Sequence, residues 1–393
     1  MAQLTQIKDL QRKRKARQKR KNFLALLLAA AAAALVLYAG ASEDFQEFLQ
    51  TTVLGGSTHQ QGDGFPVEFV GKDVISLQSL SDGRLGVLNS SRAAVVNLSG
   101  GTDLELSHNY LNPRVIFGGD RVLLYDFVGK SWRLYSGDRE LENHTLEYPI
   151  YAADMVENGV FAVSTGSNQY LSTVTAYTKD RGKVFQWNSS DKLLTHLKLE
   201  DTGKEAAFTA VSAQGGELYT HLFIYRFDRE EPVAAYDFPG EITLSLQYRY
   251  NGSLSLLTDR GLYLINGAGK IAGQVDFGGE TVSAYTDQMD RYTAVVLGDY
   301  SNTKSCRVVL YNMRGEESIS FTMNYPVKQI KSKGSWLYIY NERGLYQFGE
   351  DGLVRLFLPV LNMIDFVPGE GSTVYYMTFD GLEKGTMERT DIY

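Results

Sequence analysis

Short runs of alternating apolar and polar residues, separated by tight turns, fill the chain from about residue 65 onward. The clearest stretch is Ile242–Gly279, which is punctuated by Asn251-Gly252 and by Gly267-Ala268-Gly269. Alternating apolar residues bounded by Asn-Gly and Gly-rich turns are typical of antiparallel hairpins. The stretch therefore predicts four short strands. Such a unit cannot bury both of its faces alone, so it needs copies of itself as neighbours.

Copies of one part of this unit recur along the chain, each with a strand, a turn containing Gly or Asp, and a second strand. They are Ala94–Leu106, Trp132–His144, Thr175–Trp187, Phe223–Tyr236, Leu262–Phe277, Val309–Phe321 and Leu345–Phe357. The turn glycines Gly182, Gly269, Gly315 and Gly352 are separated by 87, 46 and 37 residues. The first separation fits two propeller repeats of roughly 40–50 residues, and each of the other two separations fits one repeat.

The spacing predicts an all-β fold, a β-propeller of eight four-stranded antiparallel blades, with seven blades as the alternative. Residues 359–393 contain the pattern of three strands, and Phe65–Val70 has the pattern of one strand without a hairpin partner. We expect Phe65–Val70 to supply the missing outer strand, because an open propeller would leave sheet faces and edges exposed. The other blades are expected at about 73–110, 111–149, 150–191, 192–241, 242–280, 281–326 and 327–358, of which 111–149 is the weakest copy.

The N-terminal residues have a different composition. Residues 1–22 carry nine Lys or Arg against one Asp, a net of +8 that leaves −15 for the rest of the chain. Residues 23–41 contain no charge, and nineteen helical residues just cross a hydrocarbon core of about 30 Å. The preceding bases predict a cytoplasmic N-terminus. We therefore expect a cytoplasmic tail, a transmembrane helix over 23–41, a stalk and linker over 42–64, and an extracytoplasmic propeller over 65–393.

Cleavage is an alternative, because Ala39-Gly40-Ala41 resembles a signal-peptidase site. The long basic segment and the apolar residues at helical spacing within Glu43–Leu54 favour an uncleaved anchor. The predicted location is the cell membrane, with lipid contact through residues 23–41. The acidic body argues against nucleic acid as a partner, since phosphate binding needs a basic surface.

One repeat resembles those of a known superfamily. Thr175–Trp187, TAYTKDRGKVFQW, resembles the repeat of quinoprotein-alcohol-dehydrogenase-like propellers, in which a turn ending in Gly-Lys is followed by a final Trp. Gly182 and Trp187 match in full, whereas Gly269-Lys270 matches the turn but its copy ends in Phe277. The Gly-His and Trp-Asp marks of WD40 propellers are absent, so a WD40-like relationship is expected in the fold only. The whole layout is similar to an uncharacterised family of membrane-anchored bacterial propeller proteins, and this resemblance implies no activity.

We identify no catalytic, cofactor-binding or metal-binding residues from the sequence. The five histidines are not at metal-type spacing from one another or from Cys306, and the nucleophile-elbow and phosphate-loop motifs are absent. The carboxylate pairs Asp287 and Asp290, and Glu316 and Glu317, fall in predicted turns. The sequence shows no pattern of residues for the calcium site that a quinone cofactor needs. The sequence therefore predicts no cofactor, and an enzymatic role is less favoured than binding.

The hypothesis that fits these features is a membrane-anchored, non-enzymatic binding scaffold or sensor in the bacterial cell envelope, with an unidentified protein partner. A carbohydrate-binding propeller would need an aromatic platform on one face. A hydrolase acting on cell-wall glycan would need carboxylates from several blades near the axis. Candidate binding aromatics are Trp132, Tyr135, Tyr177, Trp187, Tyr248, Tyr250, Tyr338 and Tyr340. For each of them, packing between blades is the favoured alternative.

The anchor can be tested with an epitope tag at each end of the chain. If residues 23–41 are retained, both tags should remain in the membrane fraction on one polypeptide of full length. A soluble fragment that begins near Ser42 and carries only the C-terminal tag would contradict the anchor. Immunoblots of membranes and culture supernatant distinguish the two outcomes.

Overall fold

The chain from residue 62 to 390 folds into eight antiparallel sheets that follow one another along the sequence. The computed structural model describes residues 62–68, 73–249, 251–299 and 302–390. The prediction of eight blades is confirmed. No helix in this described part meets the length and hydropathy that crossing a bilayer requires. The predicted tail, the predicted transmembrane helix and most of the predicted linker lie outside the described residues.

Each of the first four blades contains four strands. Blade one contains β1–β4, Val74–Ser79, Leu85–Asn89, Arg92–Val96 and Thr102–Ser107, and blade two contains β5–β8, Pro113–Gly118, Arg121–Asp126, Ser131–Ser136 and Arg139–Thr145. Blade three contains β9–β12, Ile150–Met155, Phe161–Thr165, Ser172–Tyr177 and Lys183–Ser189, and blade four contains β13–β16, Leu193–Leu199, Glu205–Gln214, Glu217–Arg226 and Ala234–Pro239. The copy that was weakest in sequence, 111–149, is a complete blade.

The remaining blades follow the same plan. Blade five contains β17–β20, Thr243–Tyr248, Leu254–Thr258, Gly261–Ile265 and Ile271–Asp276, and blade six contains β21–β24, Thr281–Thr286, Tyr292–Asp299, Asn302–Asn312 and Glu317–Met323. Blade seven contains β25–β28, Gln329–Lys333, Trp336–Asn341, Gly344–Phe348 and Val354–Leu358, and blade eight contains β29–β31, Asp365–Pro368, Thr373–Met377 and Leu382–Thr386. A last short strand, β32 (Glu388–Arg389), pairs with β28.

The first strands of the blades lie at the axis, where most of them contact the first strand of the next blade, including β1 with β29. Because the strands of a blade alternate in direction, the ring has two distinct ends. The hairpin face carries the hairpins between second and third strands and the connections between blades. The turn face, at the other end, carries the turns from first to second and from third to fourth strands.

Apolar side chains on both faces of each sheet hold neighbouring blades together. In β18, Leu256 packs in the cluster shared with blade four, whereas the adjacent Leu257 packs in the cluster shared with blade six. Successive strand residues point to opposite faces of a sheet, so every residue of β18 is buried in one seam or the other. Each blade is therefore stabilised only between two neighbours.

A recurring turn explains the repeat that the sequence shows. Asn266 Oδ1 accepts hydrogen bonds from the Ala268 and Lys270 amides at 3.0 and 3.1 Å, and Gly269 follows with a φ of 76°. This is a turn in which a left-handed residue leads into a bulge, and Gly adopts that backbone without strain. The predicted equivalence of Gly182 is wrong in detail, since Arg181 has the positive φ, 68°, in blade three.

The N-terminal segment completes blade eight, as predicted. Val67 bridges Leu382 on β31, and the two residues exchange N–H···O hydrogen bonds of 2.8 and 2.9 Å. The Phe65 ring packs against the Tyr375 ring, with centroids 5.3 Å apart. The described pairing is a single bridge, shorter than the strand expected over Phe65–Val70, whose last two residues lie outside the described part.

Packing around the turn glycines shows that this segment occupies the place of an outer strand. A Cβ at Gly352 of blade seven would lie 3.0 Å from Ile319 on β24, the outer strand of blade six. A Cβ at Gly100, the corresponding residue of blade one, would lie 2.1 Å from the carbonyl oxygen of Gly64. The N-terminal segment therefore packs against blade one as the outer strand of blade eight.

Closure can be tested at Gly381, whose φ is 147° and where a Cβ would lie 2.5 Å from the Val67 carbonyl oxygen. We expect Gly381→Ala to lower the free energy of unfolding by about 3 kcal/mol, because it strains the backbone and displaces the closing segment. The control Gly371→Ala has a φ of 61° and open space around the new Cβ, so it should cost only about 1 kcal/mol. Equal losses in urea denaturation would contradict closure at Val67.

Candidate functional site

A cavity of about 720 Å³ lies at the ring axis, among the inner strands of six blades. Its lining comes mostly from the second halves of these strands, which end at the turn face. Its apolar lining residues include Leu77, Leu246 and Ile330. The polar and charged side chains that line it are Gln78, Ser79, His196, Lys198, Ser245, Gln247, Thr286, Asp287, Gln288, Lys331, Ser332 and Lys333.

Two buried aspartates tie neighbouring blades together beside this cavity. Asp154 on β9 accepts hydrogen bonds from the Leu199 amide at 2.8 Å and from Lys198 Nζ at 3.2 Å, both on β13. The attraction of Asp154 raises the pKa of Lys198. Asp287, which follows β21, accepts a hydrogen bond of 2.7 Å from the Ser245 hydroxyl on β17. Both carboxylates therefore hold adjacent inner strands in place.

Asp365 does the same where the ring closes. It accepts a hydrogen bond of 2.8 Å from the Leu77 amide of blade one and one of 2.5 Å from Lys331 Nζ of blade seven. Lys333 pairs with Glu370 at 2.6 Å near the mouth of the cavity. Carboxylates from blades three, six and eight thus do lie near the axis, as the hydrolase alternative requires, but their contacts give them a structural role.

His196 is the half-buried histidine of the cavity wall. Burial, and then the Lys198 ammonium, lower the pKa of His196 from 6.5 to about 4. Its Nδ1 lies 3.4 Å from the Thr209 hydroxyl. The imidazole is therefore neutral at physiological pH, which leaves the lysines as the cations of the cavity.

A second cluster lies on blade four, near the hairpin face. His221 Nε2 is 2.8 Å from the Ser212 hydroxyl, and His221 Nδ1 is 2.6 Å from Asp237 Oδ1. The three residues stand on the adjacent strands β14, β15 and β16. His221 is buried, Ser212 is half-buried and the Asp237 side chain is 67% exposed. Serine, histidine and carboxylate are thus joined through the two ring nitrogens.

An aromatic groove of about 520 Å³ runs along the seam between blades three and four. It is lined by Phe185 and Trp187 of β12 and by Tyr225 and Phe227 near the end of β15. Phe185 stacks on Phe227 with centroids 5.1 Å apart. The rings are half-buried, so this groove is an aromatic surface at the rim of the ring.

Comparison with protein-family models decides the family of the chain. The model of a family of unknown function, DUF5711, matches residues 73–384. The chain belongs to this family. No curated protein matches the chain by sequence.

Solved structures similar to the ring are propellers of several kinds. BamB from Moraxella catarrhalis has a TM-score of 0.54 at 10% identity and covers 81% of this chain and 97% of that one. A quinohemoprotein alcohol dehydrogenase from Pseudomonas putida HK5 has a TM-score of 0.54 at 9% identity, covering 80% and 71%. The C-terminal WD40 domain of Sif2 has a TM-score of 0.55 at 13% identity, covering 83% and 99%. The quinoprotein-like and WD40-like resemblance is thus confirmed for the fold.

The structure separates the candidate binding aromatics into buried and partly exposed ones. Tyr177 and Trp187 are half-buried, and Trp187 lines the aromatic groove. Tyr250 lies outside the described residues. The others are at most 7% exposed and pack between blades, which is the role that the sequence favoured for each of them; they are Trp132, Tyr135, Tyr248, Tyr338 and Tyr340.

The carboxylate pairs and the histidines also have defined places. Asp290, Glu316 and Glu317 are exposed, and Asp287 is buried beside the axial cavity. The prediction of solvated turns is therefore wrong for Glu317, which begins β24, and for Asp287, which is buried. Within the described residues, no group of three or more His, Cys, Asp or Glu side chains could hold a metal ion. The four described histidines lie in blades one, two and four, of which only blade four has two.

Sequence reasoning missed the cluster of Ser212, His221 and Asp237, although one signal for it was present. Gly215-Gly216 predicts a two-residue hairpin turn. That turn pairs residue 214 with 217 and therefore 210 with 221, which is the observed register. Residues 212 and 221 then lie diagonally on one face of the sheet, within reach of each other.

The depressed pKa of His196 predicts a loss of stability in mild acid. As pH falls from 6.5 towards 4, the unfolded chain binds a proton at this position and the folded chain does not, so unfolding is favoured. This linkage between protonation and unfolding lowers the free energy of unfolding by at most about 2 kcal/mol between pH 7 and pH 5. We expect His196→Gln to remove this share of the loss in urea denaturation at the two pH values. An unchanged pH dependence in the variant would contradict the neutral, buried imidazole.

Proposed function

We propose that the protein is a scaffold of the bacterial cell envelope that is anchored by residues 23–41 and presents its ring to another protein outside the cytoplasm. The observation that carries the proposal is the uneven distribution of exposed apolar side chains between the two faces of the ring. Large exposed apolar patches mark interaction sites on soluble domains. The closed ring supplies a rigid support for such a surface.

The hairpin face holds most of these side chains. Eight of the fourteen exposed large apolar residues in the described part lie in its loops or at its hairpin tips, namely Leu111, Val128, Tyr170, Leu171, Leu218, Ile242, Leu361 and Phe379. Leu111 is 90% exposed and Phe379 is 63% exposed. Exposing side chains of this size to water is unfavourable, and a partner that covers them gains the free energy of their burial.

Two long hairpins also extend this face. The strands β14 and β15 have ten residues each, and β23 has eleven, compared with five or six in most other strands. They belong to blades four and six, so they stand on either side of blade five. Protruding hairpins and apolar loops together give a shaped surface on the hairpin face.

The N-terminal segment approaches the ring from the opposite end. The Gly62 and Gly64 amides donate hydrogen bonds to Ser99, in the turn between β3 and β4, which belongs to the turn face. These contacts of Gly62 and Gly64 leave the hairpin face accessible to a partner. The charge of the basic tail and the uncharged residues 23–41 support the anchor, as argued from the sequence.

Site-specific photo-crosslinking in native membranes tests the proposed face. A photoreactive residue at Leu111 or Phe379 should give discrete protein adducts, whereas one at Leu98 or Leu353, which are exposed on the turn face, should give few. In a Leu111→Asp/Phe379→Asp variant, crosslinking from Leu361 should fall at least about tenfold with an unchanged melting temperature. Adducts that form equally from both faces, or that survive the aspartates, would contradict the proposal.

A further inference from the structure

Ser212, His221 and Asp237 form a hydrogen-bonded chain whose proton positions can be assigned. An ionised carboxylate can only accept hydrogen bonds. His221 Nδ1 lies 2.6 Å from Asp237 Oδ1 and must therefore carry a proton. Nε2 is then the acceptor, and the Ser212 hydroxyl donates to it across 2.8 Å. In this arrangement a base accepts the proton of a nucleophile and a third group orients the base.

The fold of blade four fixes this geometry. Ala210 is opposite His221, and His221 is opposite Asp237, in the paired strands β14, β15 and β16. Ser212 is two residues beyond Ala210 and therefore on the same face of the sheet. The His221 ring is buried and lies beside the Phe223 ring, with centroids 6.2 Å apart. The base is thus held by backbone pairing and by aromatic packing.

An amide next to Ser212 is free to bind a developing negative charge. The Leu218 carbonyl accepts a hydrogen bond from Gly240 on the β16 side. Pairing directions alternate along a ladder, so Ala213, which is opposite Leu218, directs its N–H away from β15. The inner strand β13 ends its pairing at Val211, so this N–H projects beyond it. The amide of the residue after the nucleophile serves as an oxyanion donor in serine hydrolases.

We infer that Ser212 is the nucleophile of a serine-hydrolase-type centre that cleaves carboxylic esters. Ser212 Oγ bonds to the ester carbonyl carbon while its proton passes to His221 Nε2 and the carbonyl oxygen gains an electron pair. The carbonyl then re-forms, the alcohol leaves with the proton from Nε2, and the acyl group stays on Ser212. Water attacks the acyl carbon, gives a proton to Nε2, and the carboxylic acid departs as Ser212 regains that proton.

The surroundings favour esters with a small or flat apolar group. The Tyr219 ring, on the same face of the sheet as His221, lies 6.4 Å from the His221 ring. The Phe223 ring lies between His221 and Trp187. Its centroid is 5.5 Å from that of Trp187, where the aromatic groove begins. Water surrounds most of the Asp237 carboxylate, so its effect on the imidazole is weaker than that of a buried one. We therefore expect reaction with activated esters at a modest rate.

The test uses the purified full-length chain with a fluorophosphonate probe and with p-nitrophenyl acetate. Peptide mass spectrometry should locate the probe on Ser212. Ser212→Ala should abolish labelling, and His221→Gln should slow both reactions at least about 100-fold. Asp237→Asn should slow them about tenfold, with partial recovery in Asp237→Glu, because the carboxylate orients His221. The control His144→Gln changes a histidine that is paired with Glu142 and has no serine partner, and it should react like the wild type.

The melting temperature of each variant separates chemistry from folding. Ser212 is half-buried, so Ser212→Ala should melt within a few degrees of the wild type. A probe located elsewhere, or ester hydrolysis that is unchanged in folded Ser212→Ala, would overturn the inference. Equal rates for folded wild type and His221→Gln would overturn it as well.

Discussion

The structure depends on one constraint, which is that every blade must have a neighbour on both sides. Apolar residues point to both faces of each four-stranded sheet, so a blade at an open end would expose half of its core. Blades one and eight meet this requirement through the N-terminal segment, where Val67 bridges Leu382. Asp365, which binds the Leu77 amide across the same junction, closes the ring at the axis. A short contact of a few residues thus joins the two ends of the ring.

Closure also gives the ring two faces with different properties. The closing segment starts at the turn face, where the Gly62 and Gly64 amides donate hydrogen bonds to Ser99 and where the axial cavity also opens. It ends at Val67, which pairs with Leu382 beside the hairpin between β30 and β31, at the hairpin face. Exposed apolar side chains and the long hairpins of blades four and six lie at the hairpin face. The cluster of Ser212, His221 and Asp237 stands near that face as well. The features that suggest recognition and chemistry therefore lie at the face opposite Gly62 and Gly64.

Features that depend on local sequence could be predicted, because strand alternation and turn chemistry act over a few residues. The blade in Ile242–Gly279 was legible from its Asn-Gly and Gly-rich turns alone. Two turns that both contain a glycine are not equivalent when a different residue adopts the left-handed backbone conformation. In blade three, Arg181 adopts it in place of Gly182. Packing between blades was the favoured role of Trp132 and Tyr338, but the side chains that bury them could not be predicted, because the neighbouring blade supplies them.

The axial cavity could not be predicted from the sequence, for the same physical reason. Its wall combines residues from six blades, and no local pattern reports which of them face one another across the axis. Lys331 pairs with Asp365 of the next blade, and Lys198 with Asp154 of the preceding one. The pairing of Ser212 with His221 could be predicted in part from the sequence. It follows from a hairpin register that the Gly215-Gly216 turn encodes, although the sequence lacks any known catalytic motif at these positions.

The most direct measurement of ring closure is a disulfide between positions 67 and 382. Val67 and Leu382 exchange both hydrogen bonds, which places their Cα atoms about 5.5 Å apart, within the range that a disulfide spans. In a Val67→Cys/Leu382→Cys/Cys306→Ser variant, we expect the disulfide to form without loss of the fold. The oxidised protein should then be more stable to urea than the same protein after reduction, by about 3 kcal/mol or more. Two free thiols in the native protein, or equal stability of the oxidised and reduced forms, would contradict closure through this contact.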